Sequence, residues 1–300
     1  MIAIRGSGFG LYGHLPALVE MGHNVVIPAR YREFFEVRAE LHPYAAHVEF
    51  VADEAVLLRE SKTLVLARRP ADNVADARTF LRTGARAGQV LVLEKPMAPT
   101  PQEALALAGE LDDQSVFYAI PYLLNHCSWA QEAKQAVADC AATTINLDWS
   151  YHSPTVTSAS WKSYPHAGGG AISYYFIHVL ALASMIIGTQ CQIVSIEERS
   201  TSTSTHLLLV AEGSDRRFTA QFATGAVSSH CSVQCDDQTI FSDATPFGSM
   251  PTLGSRDPRV DPLKRFYAGV LNKTADVANG LVFHLWSDAI AVLGGGPVRR

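Results

Sequence analysis

No uninterrupted apolar run in this chain reaches the roughly 18 residues that a membrane-spanning helix needs. The nearest candidate, Phe176 to Gly188, is too short and carries His178. A basic excess is also missing. Lys and Arg number 24 against 29 Asp and Glu, a formal charge of −5, which argues against a general nucleic-acid binder. Cysteine is sparse and odd in number: Cys127, Cys140, Cys191, Cys231 and Cys235 are widely scattered. That pattern fits reduced thiols in a cytoplasmic protein better than a disulfide framework. There is no CxxC pair. His230, Cys231, Cys235 and Asp236 can be written as metal ligands, but they lack a second pair and sit in an alternating, strand-like run, so no metal is expected. Internal repeats and low-complexity segments are absent as well.

What the chain does have is ample material for a core. Its 300 residues, 48% hydrophobic and 18% charged, fit an ordinary globular protein of two domains. The first strand begins almost at Met1, which leads to the expectation that no signal peptide precedes it.

The opening stretch, MIAIRGSGFGLYGHLPAL, sets the organisation. A short apolar strand (Ile2 to Ile4) runs into Gly6, Gly8, Gly10 and Gly13, and a helical segment with Leu15, Ala17 and Leu18 follows. Strand, glycine turn and helix is an arrangement that binds a dinucleotide pyrophosphate, through close backbone approach and free N–H groups at a helix start. Counted from Gly6, the third fingerprint position falls on Leu11, with Gly10 one residue early.

Further strands are predicted at Val25–Ile27, Val48–Val51, Leu64–Leu66, Val90–Leu93 and Val116–Ala119. Helices are predicted near 31–41, 53–60, 75–83 and 102–111. This alternation implies a doubly wound parallel sheet with its ligand at the carboxyl ends of the strands. After Pro121 the texture changes. A helix near 129–137, a strand near 143–151, a loop rich in Ser, Thr and Pro, Gly168–Gly170 and a long helix near 171–187 come first. Alternating runs at 193–199, 206–212, 217–222 and 230–235 follow, then helices near 258–271 and 281–293. The expectation is an α/β protein: a Rossmann domain over residues 1–120, and an α+β domain with an open, mostly antiparallel sheet over residues 121–300.

Two places carry chemistry. Lys95, between Glu94 and Pro96 after a buried strand, can hold a substrate oxygen and tune its protonation; it can equally be a surface lysine. Tyr174 and His178 stand at i and i+4 on one helix, so they share a face. The histidine is the best general acid/base available, with a hydrogen-bonded core histidine as the alternative.

These residues resemble a family. The glycine turn with HLPAL, then VLVLEKPMAPTPQEA, SWKSYPHAGGGAISYYFIH and DPRVDPLKRFYAGVL, in that order and spacing, look like the glucose–fructose oxidoreductase/inositol dehydrogenase (Gfo/Idh/MocA) family. The resemblance implies NAD(P)-dependent hydride transfer to or from a sugar, cyclitol or sugar nucleotide, with Lys95, His178 and Tyr174 as the catalytic candidates. It also implies that Gly6, Gly8, Phe9, Gly10 and Leu11 form the pyrophosphate turn. Arg69, Pro70 and Asn73 follow the fourth strand, and Glu94, Lys95 and Pro96 lie beside the nicotinamide. Trp161-Lys162 stands where the family often has a Trp-Arg pair, and Tyr122 joins Lys95, Tyr174 and His178 on the substrate. Asn125, Tyr151, His152, Tyr164 and His166 are further polar candidates for a sugar pocket or simple packing residues. A homodimer or homotetramer, formed through the open sheet, is expected.

The chain departs from the family at several positions. The family's helix reads Asp-x-Gly-x-His-x-x-Asp, whereas this chain has Tyr174, Phe176, His178 and Ala181. The family's Thr-Pro-Pro…His after the fourth strand reads Ala67-Arg68-Arg69-Pro70…Asn73. These changes point to an altered substrate, to nucleotide binding without turnover, or to transient oxidation in service of elimination or epimerisation. At the end of the second strand there is no Asp or Glu until Glu33. Arg30 and Arg32 suit a 2′-phosphate, so NADP is expected over NAD.

Overall fold

The computed structural model describes residues 1–83, 88–139, 141–152, 160–201, 204–249, 255–273 and 279–295. Cys140, residues 153–159 of the polar loop and residues 202–203 lie outside these. The chain divides into two compact units. The first holds residues 1–98 and 103–121 together with the segment around 255–273; the second holds residues 99–102, 122–249 and 279–295.

The first unit is built on a six-stranded parallel sheet: β1 (Ile2–Arg5), β2 (Val25–Pro28), β3 (Val48–Val51), β4 (Thr63–Leu66), β5 (Val90–Leu93) and β6 (Phe117–Ala119). Its order is β3-β2-β1-β4-β5-β6, every pair parallel. β2, β4 and β5 are buried at every position, as strands covered on both faces must be. The order reverses between β1 and β4, so the crevice at their carboxyl ends is the topological switch point.

The helices of this unit are α1 (Leu15–Glu20), α2 (Arg32–Val37), α3 (Glu54–Glu60), α4 (Pro70–Arg82) and α5 (Pro101–Asp113). α2 is shorter than its sequence pattern implies. Arg38 turns extended, and the chain continues to His47 in 3₁₀ turns around Pro43, which has no N–H to give a helix. α4 starts at Pro70, five residues before the expected start, because proline is well suited to the first helical turn.

The second unit holds α6 (Ser128–Ala138), β7 (Thr144–Tyr151), α7 (Ile177–Ile187), β8 (Gln192–Ser200), β9 (Thr205–Gly213), β10 (Arg216–Thr224), β11 (His230–Cys235) and β12 (Gln238–Asp243). Its strands form a six-stranded sheet in the order β12-β11-β7-β10-β9-β8; β7 and β10 pair in parallel and all other neighbours are antiparallel. Phe218, Ala220 and Phe222 alternate inward along β10 while Arg217 and Gln221 stay in water. The stretch Pro165–Ile187 matches a membrane span by length and composition, yet 72% of its most apolar window is buried inside the protein, as in a core helix. The segment at the end of the chain supplies α8 (Val260–Val270) to the first unit and α9 (Asn279–Leu293) to the second. Trp286 of α9 donates its indole N–H to Ser173 Oγ at 3.2 Å.

Candidate functional site

In the first unit, the turn after β1 is shaped by what its glycines touch. A Cβ on Gly6 would lie 2.1 Å from the Ala67 carbonyl oxygen, and one on Gly10 would lie 3.0 Å from Ile4 Cγ2. Gly13 lies under the Phe9 ring, 2.3 Å from where its own Cβ would be. Gly8 is different: a Cβ there would meet nothing within 4 Å, and the residue is exposed. So three glycines allow the turn to close on itself, and the fourth leaves a bare backbone facing open space. Among the described residues, the N–H groups of Gly8, Phe9 and Gly10 donate to no main-chain carbonyl. Those of Leu11 and Tyr12 turn back to the Gly8 carbonyl at 2.9 and 3.4 Å.

The chain then winds as a π-turn, Gly10–His14, before α1 begins. The wider turn accommodates a wholly buried Leu11 at the third fingerprint position. The Phe9 ring is held between Gly13 and the Arg259 guanidinium, 4.4 Å from its centroid, so its main chain rather than its ring faces the open side of the turn.

Beyond the turn, the carboxyl ends of β1, β2 and β4 carry an alternating chain of charge. Glu54 joins Arg30 to Arg5, Asp76 joins Arg5 to Arg68, and Asp72 joins Arg68 to Arg69. Four guanidinium groups against three carboxylates leave this edge with a positive charge of one. Burial opposes the charge on Arg68, but its bond to Asp76 together with the negative charges of Asp76 and Asp72 outweighs that and holds its pKa above the ordinary value. Arg32 makes no ion pair among the described residues; its guanidinium stacks on Phe50 at 4.2 Å from the ring centroid.

Asn73 is wholly buried. It accepts from the Arg68 N–H at 3.0 Å and donates to the Glu94 carbonyl at 3.5 Å, tying the loop after β4 to the end of β5. Glu94 is buried, Lys95 half-buried, and the Lys95–Pro96 peptide is cis. The Glu94 carboxylate accepts from His14 Nε2 at 2.8 Å, and His14 Nδ1 lies 2.6 Å from the Tyr267 hydroxyl on α8.

The second unit repeats one device. Gly169 lets main chain meet main chain: a Cβ there would lie 2.3 Å from the Trp161 carbonyl oxygen. Gly170 has φ +79°, and a second π-turn, Ala171–Phe176, leads into α7. The Tyr174 ring has Lys162 Nζ 5.1 Å from its centroid, the Trp161 ring edge-on at 5.5 Å and Tyr175 at 4.8 Å. His178 is buried at the start of α7, and Tyr122 is 1% exposed. From Trp149 to Ile196 the chain contains no Asp or Glu. His152 and Tyr164 are exposed; the His152 ring lies 2.7 Å from the Ala226 carbonyl. Asn125 is buried and donates to the Ala181 carbonyl. Among the described residues, no group of three His, Cys, Asp or Glu is placed to hold a metal.

No family model matches the chain, and no curated protein sequence does either. Solved structures do. Levoglucosan dehydrogenase in complex with NADH and levoglucosan superimposes with a TM-score of 0.72 at 14% identity, over 98% of this chain and 97% of that one. GenD2 from gentamicin A biosynthesis, in complex with NAD, gives 0.71 at 16% identity, over 99% and 94%. An oxidoreductase from Agrobacterium radiobacter, in complex with NAD+, L-tartaric acid and magnesium, gives 0.70 at 13% identity, over 99% and 97%. The fold is that of these dehydrogenases.

On this dehydrogenase fold, sequence reasoning missed two groups. Arg5, Glu54, Asp76 and Arg68 interlock only through the sheet. The one available signal was Arg5 itself, a charge ending an otherwise apolar strand. His14 and Tyr267 stood inside quoted motifs, but their contact spans 253 positions and no local period reveals it.

Proposed function

We propose that this chain is an NAD(P)-dependent oxidoreductase of the Gfo/Idh/MocA type. It moves a hydride between the nicotinamide and a carbon bearing the hydroxyl or carbonyl of a sugar, cyclitol or sugar nucleotide. The observation that carries the reading is the turn at Gly6–Gly10, at the switch point of a parallel sheet. Its backbone is open at Gly8, and the N–H groups of Gly8, Phe9 and Gly10 have no main-chain acceptor among the described residues. The residues present fit a pyrophosphate: nothing stands over Gly8, and the edge beside it is positive.

When bound, the nicotinamide supplies the redox chemistry. The chain supplies placement and protons. Gly6, Gly8 and Gly10 hold the turn close to the phosphates, with Phe9 and Leu11 packed behind it. Arg69, Pro70 and Asn73 shape the loop after β4, and Glu94 and Pro96 flank Lys95. Lys95 contacts the reacting oxygen, His178 exchanges the proton, and Tyr174 donates a neutral hydroxyl to the substrate. Trp161 and Lys162 reach the cofactor, and Tyr122 shapes the substrate side. NADP is preferred over NAD. Support comes from Pro28, Ala29 and Arg30, which bring no carboxylate to the end of β2 while the Glu54 carboxylate there is taken up by Arg5 and Arg30, and from Arg32, which makes no ion pair among the described residues.

A second reading, nucleotide binding without turnover, draws on one observation. Tyr174 and Ala181 stand in the family's carboxylate positions, so this helix brings no acid of its own to a substrate hydroxyl. An enzyme that oxidises transiently, for elimination or epimerisation, draws on the same change. A homodimer or homotetramer is supported by the outer face of the second sheet, where Leu208, Val210 and Thr219 stand among polar residues. A cytoplasmic location is supported by Cys191, Cys231 and Cys235, which are buried and form no disulfide among the described residues.

Fluorescence titration of the purified chain with NADPH and NADH tests the reading, with Lys95→Ala and His178→Ala alongside. Tight binding kept by both variants, and turnover of a sugar panel lost in both, supports the enzyme. Binding with no turnover by the parent chain supports the second reading, and no binding of either nucleotide rejects both.

A further inference from the structure

We infer that His14 and Tyr267 are positioning residues for the dinucleotide, fixing the Glu94 carboxylate so that its second oxygen meets a donor on the nicotinamide half. The inference rests on the dinucleotide reading above. Three segments far apart in sequence converge inside one unit: the π-turn at His14, the end of β5 at Glu94 and α8 at Tyr267. His14 and Tyr267 are wholly buried, and Glu94 is 8% exposed.

The proton arrangement follows from the chemistry of the three groups. An ionised carboxylate only accepts, so His14 Nε2 carries its proton and donates to Glu94 Oε1 across 2.8 Å. Nδ1 of that neutral tautomer accepts, and its partner at 2.6 Å is the Tyr267 hydroxyl. Burial first, and the Glu94 charge second, hold the Tyr267 pKa well above the ordinary value, so the phenol stays a donor. One tautomer satisfies both ring nitrogens, and with both bound the ring cannot turn.

Glu94 Oε2 makes no hydrogen bond among the described residues and is not closed off from solvent. It stands beside Lys95 at the carboxyl edge of the sheet, an acceptor held ready for the ribose hydroxyls or carboxamide N–H₂ that nicotinamide nucleotides carry. A core needs no such device: an apolar side chain at position 14 and Phe at 267 would fill the space without burying polar atoms.

The test separates the two ends of the imidazole. The amide nitrogen of His14→Gln reaches the place of Nε2 and keeps the donor to Glu94. His14→Asn ends near Nδ1, reaches Tyr267 and leaves Glu94 unheld. Tyr267→Phe removes only the hydroxyl. For each full-length variant, NADH and NADPH affinities are measured by fluorescence, ADP affinity by competition, and Tm by thermal melting. The expected result is about a tenfold loss of NADH and NADPH affinity in His14→Asn, the size of one charge-assisted hydrogen bond. His14→Gln stays within about threefold of the parent, and ADP, which lacks the nicotinamide half, binds all variants alike. Affinity that follows Tm across the series, or ADP binding that falls with NADH, overturns the inference while leaving the cofactor reading intact. A parent chain that binds neither nucleotide overturns both.

Discussion

A Cβ on Gly6 would lie 2.1 Å from the carbonyl oxygen of Ala67, a main-chain atom with nowhere to move, because the Ala67 N–H is bonded to Arg5 O at 2.9 Å. Two residues further on, Gly8 faces nothing within 4 Å. One turn therefore holds two glycines needed for different reasons, the first for the fold and the second for what approaches it.

The two substitutions should separate cleanly. Gly6→Ala forces β1 away from the loop after β4 and destabilises by about 3 kcal/mol, at the upper end of overpacking. Gly8→Ala leaves Tm within about 2 °C of the parent, yet weakens NADPH binding about tenfold or more, because its methyl occupies the space a phosphate needs. Thermal melts and fluorescence titration on the same samples decide it. Equal loss of stability in both variants rules out the distinction.

The Asp76 carboxylate holds both Arg5 and Arg68 with little exposure to solvent, whereas Asp72 bonds Arg69 in the open. Removing Asp76 takes a little-exposed carboxylate from two guanidinium groups at once, leaving Arg5 with Glu54 and Arg68 with the longer contact to Asp72, and Asp76→Ala should cost about 3 kcal/mol. Asp72→Ala should cost less than about 1 kcal/mol. Urea unfolding of the two variants tests the order, and similar midpoints would show that solvent screens Asp76 as well.

Why some of this was legible in the sequence, and some was not, follows from the range of the interactions. Val25–Ile27, Leu64–Leu66 and Val90–Leu93 are unbroken apolar runs between turns, a pattern that a strand covered on both faces requires. The glycine turn and the position of Lys95 after β5 were readable for the same local reason. Leu11 looked like a defect in the fingerprint because the fingerprint assumes an α-helical start; the π-turn at Gly10–His14 removes the conflict. β12 (Gln238–Asp243) was missed, since a short edge strand with few buried positions leaves little period to detect. The bonds Arg5–Asp76 and His14–Tyr267 depend on the assembled sheet and carry no mark in the neighbouring residues.

Cofactor preference gives a third prediction. Arg30 is already bound to Glu54 and Arg69 to Asp72, whereas Arg32 makes no ion pair among the described residues. Arg32→Ala should weaken NADPH about tenfold, the loss of one charge-assisted bond to a 2′-phosphate, and change NADH by less than about twofold. If both nucleotides weaken together, Arg32 is supporting the fold through Phe50 rather than reading the phosphate.

Thiol reactivity gives a fourth. Burial pushes the Cys191 pKa up to about 12, and raises that of Cys231 further still. At pH 8 the thiolate of Cys191 is therefore scarce, and the group is also closed to reagents. Iodoacetamide should leave Cys191 and Cys231 unlabelled in the folded protein and label both in denaturant, as read by peptide mass spectrometry. Labelling at native pH would mean that α7 and the second sheet open readily.

The last prediction concerns pH and the segment that carries α8. Arg256 bonds Glu20 through two contacts at 2.7 and 2.8 Å and also bonds Asp261, while Lys264 reaches Glu20 at 3.1 Å. This cluster fastens residues 256–264 to α1, some 236 positions earlier in the chain. The Arg256 hydrogen bonds hold the Glu20 carboxyl below its ordinary 4.5 and the Asp261 carboxyl below its ordinary 3.8, and burial only partly opposes this. A lowered folded pKa means that the fold favours the ionised form. The contribution is therefore complete above the ordinary values and disappears as pH falls through the lowered ones. At pH 7, Glu20→Gln should cost about 1 kcal/mol, because the cluster is partly exposed and screened by solvent. Near pH 3, below the ordinary values at which the unfolded chain takes up protons on these groups, the gap between parent and variant should shrink. Urea unfolding of both proteins at the two pH values measures it. A gap that stays constant or widens on acidification would show that the bonds to Glu20 do not depend on its charge, and that α8 is held to α1 by packing instead.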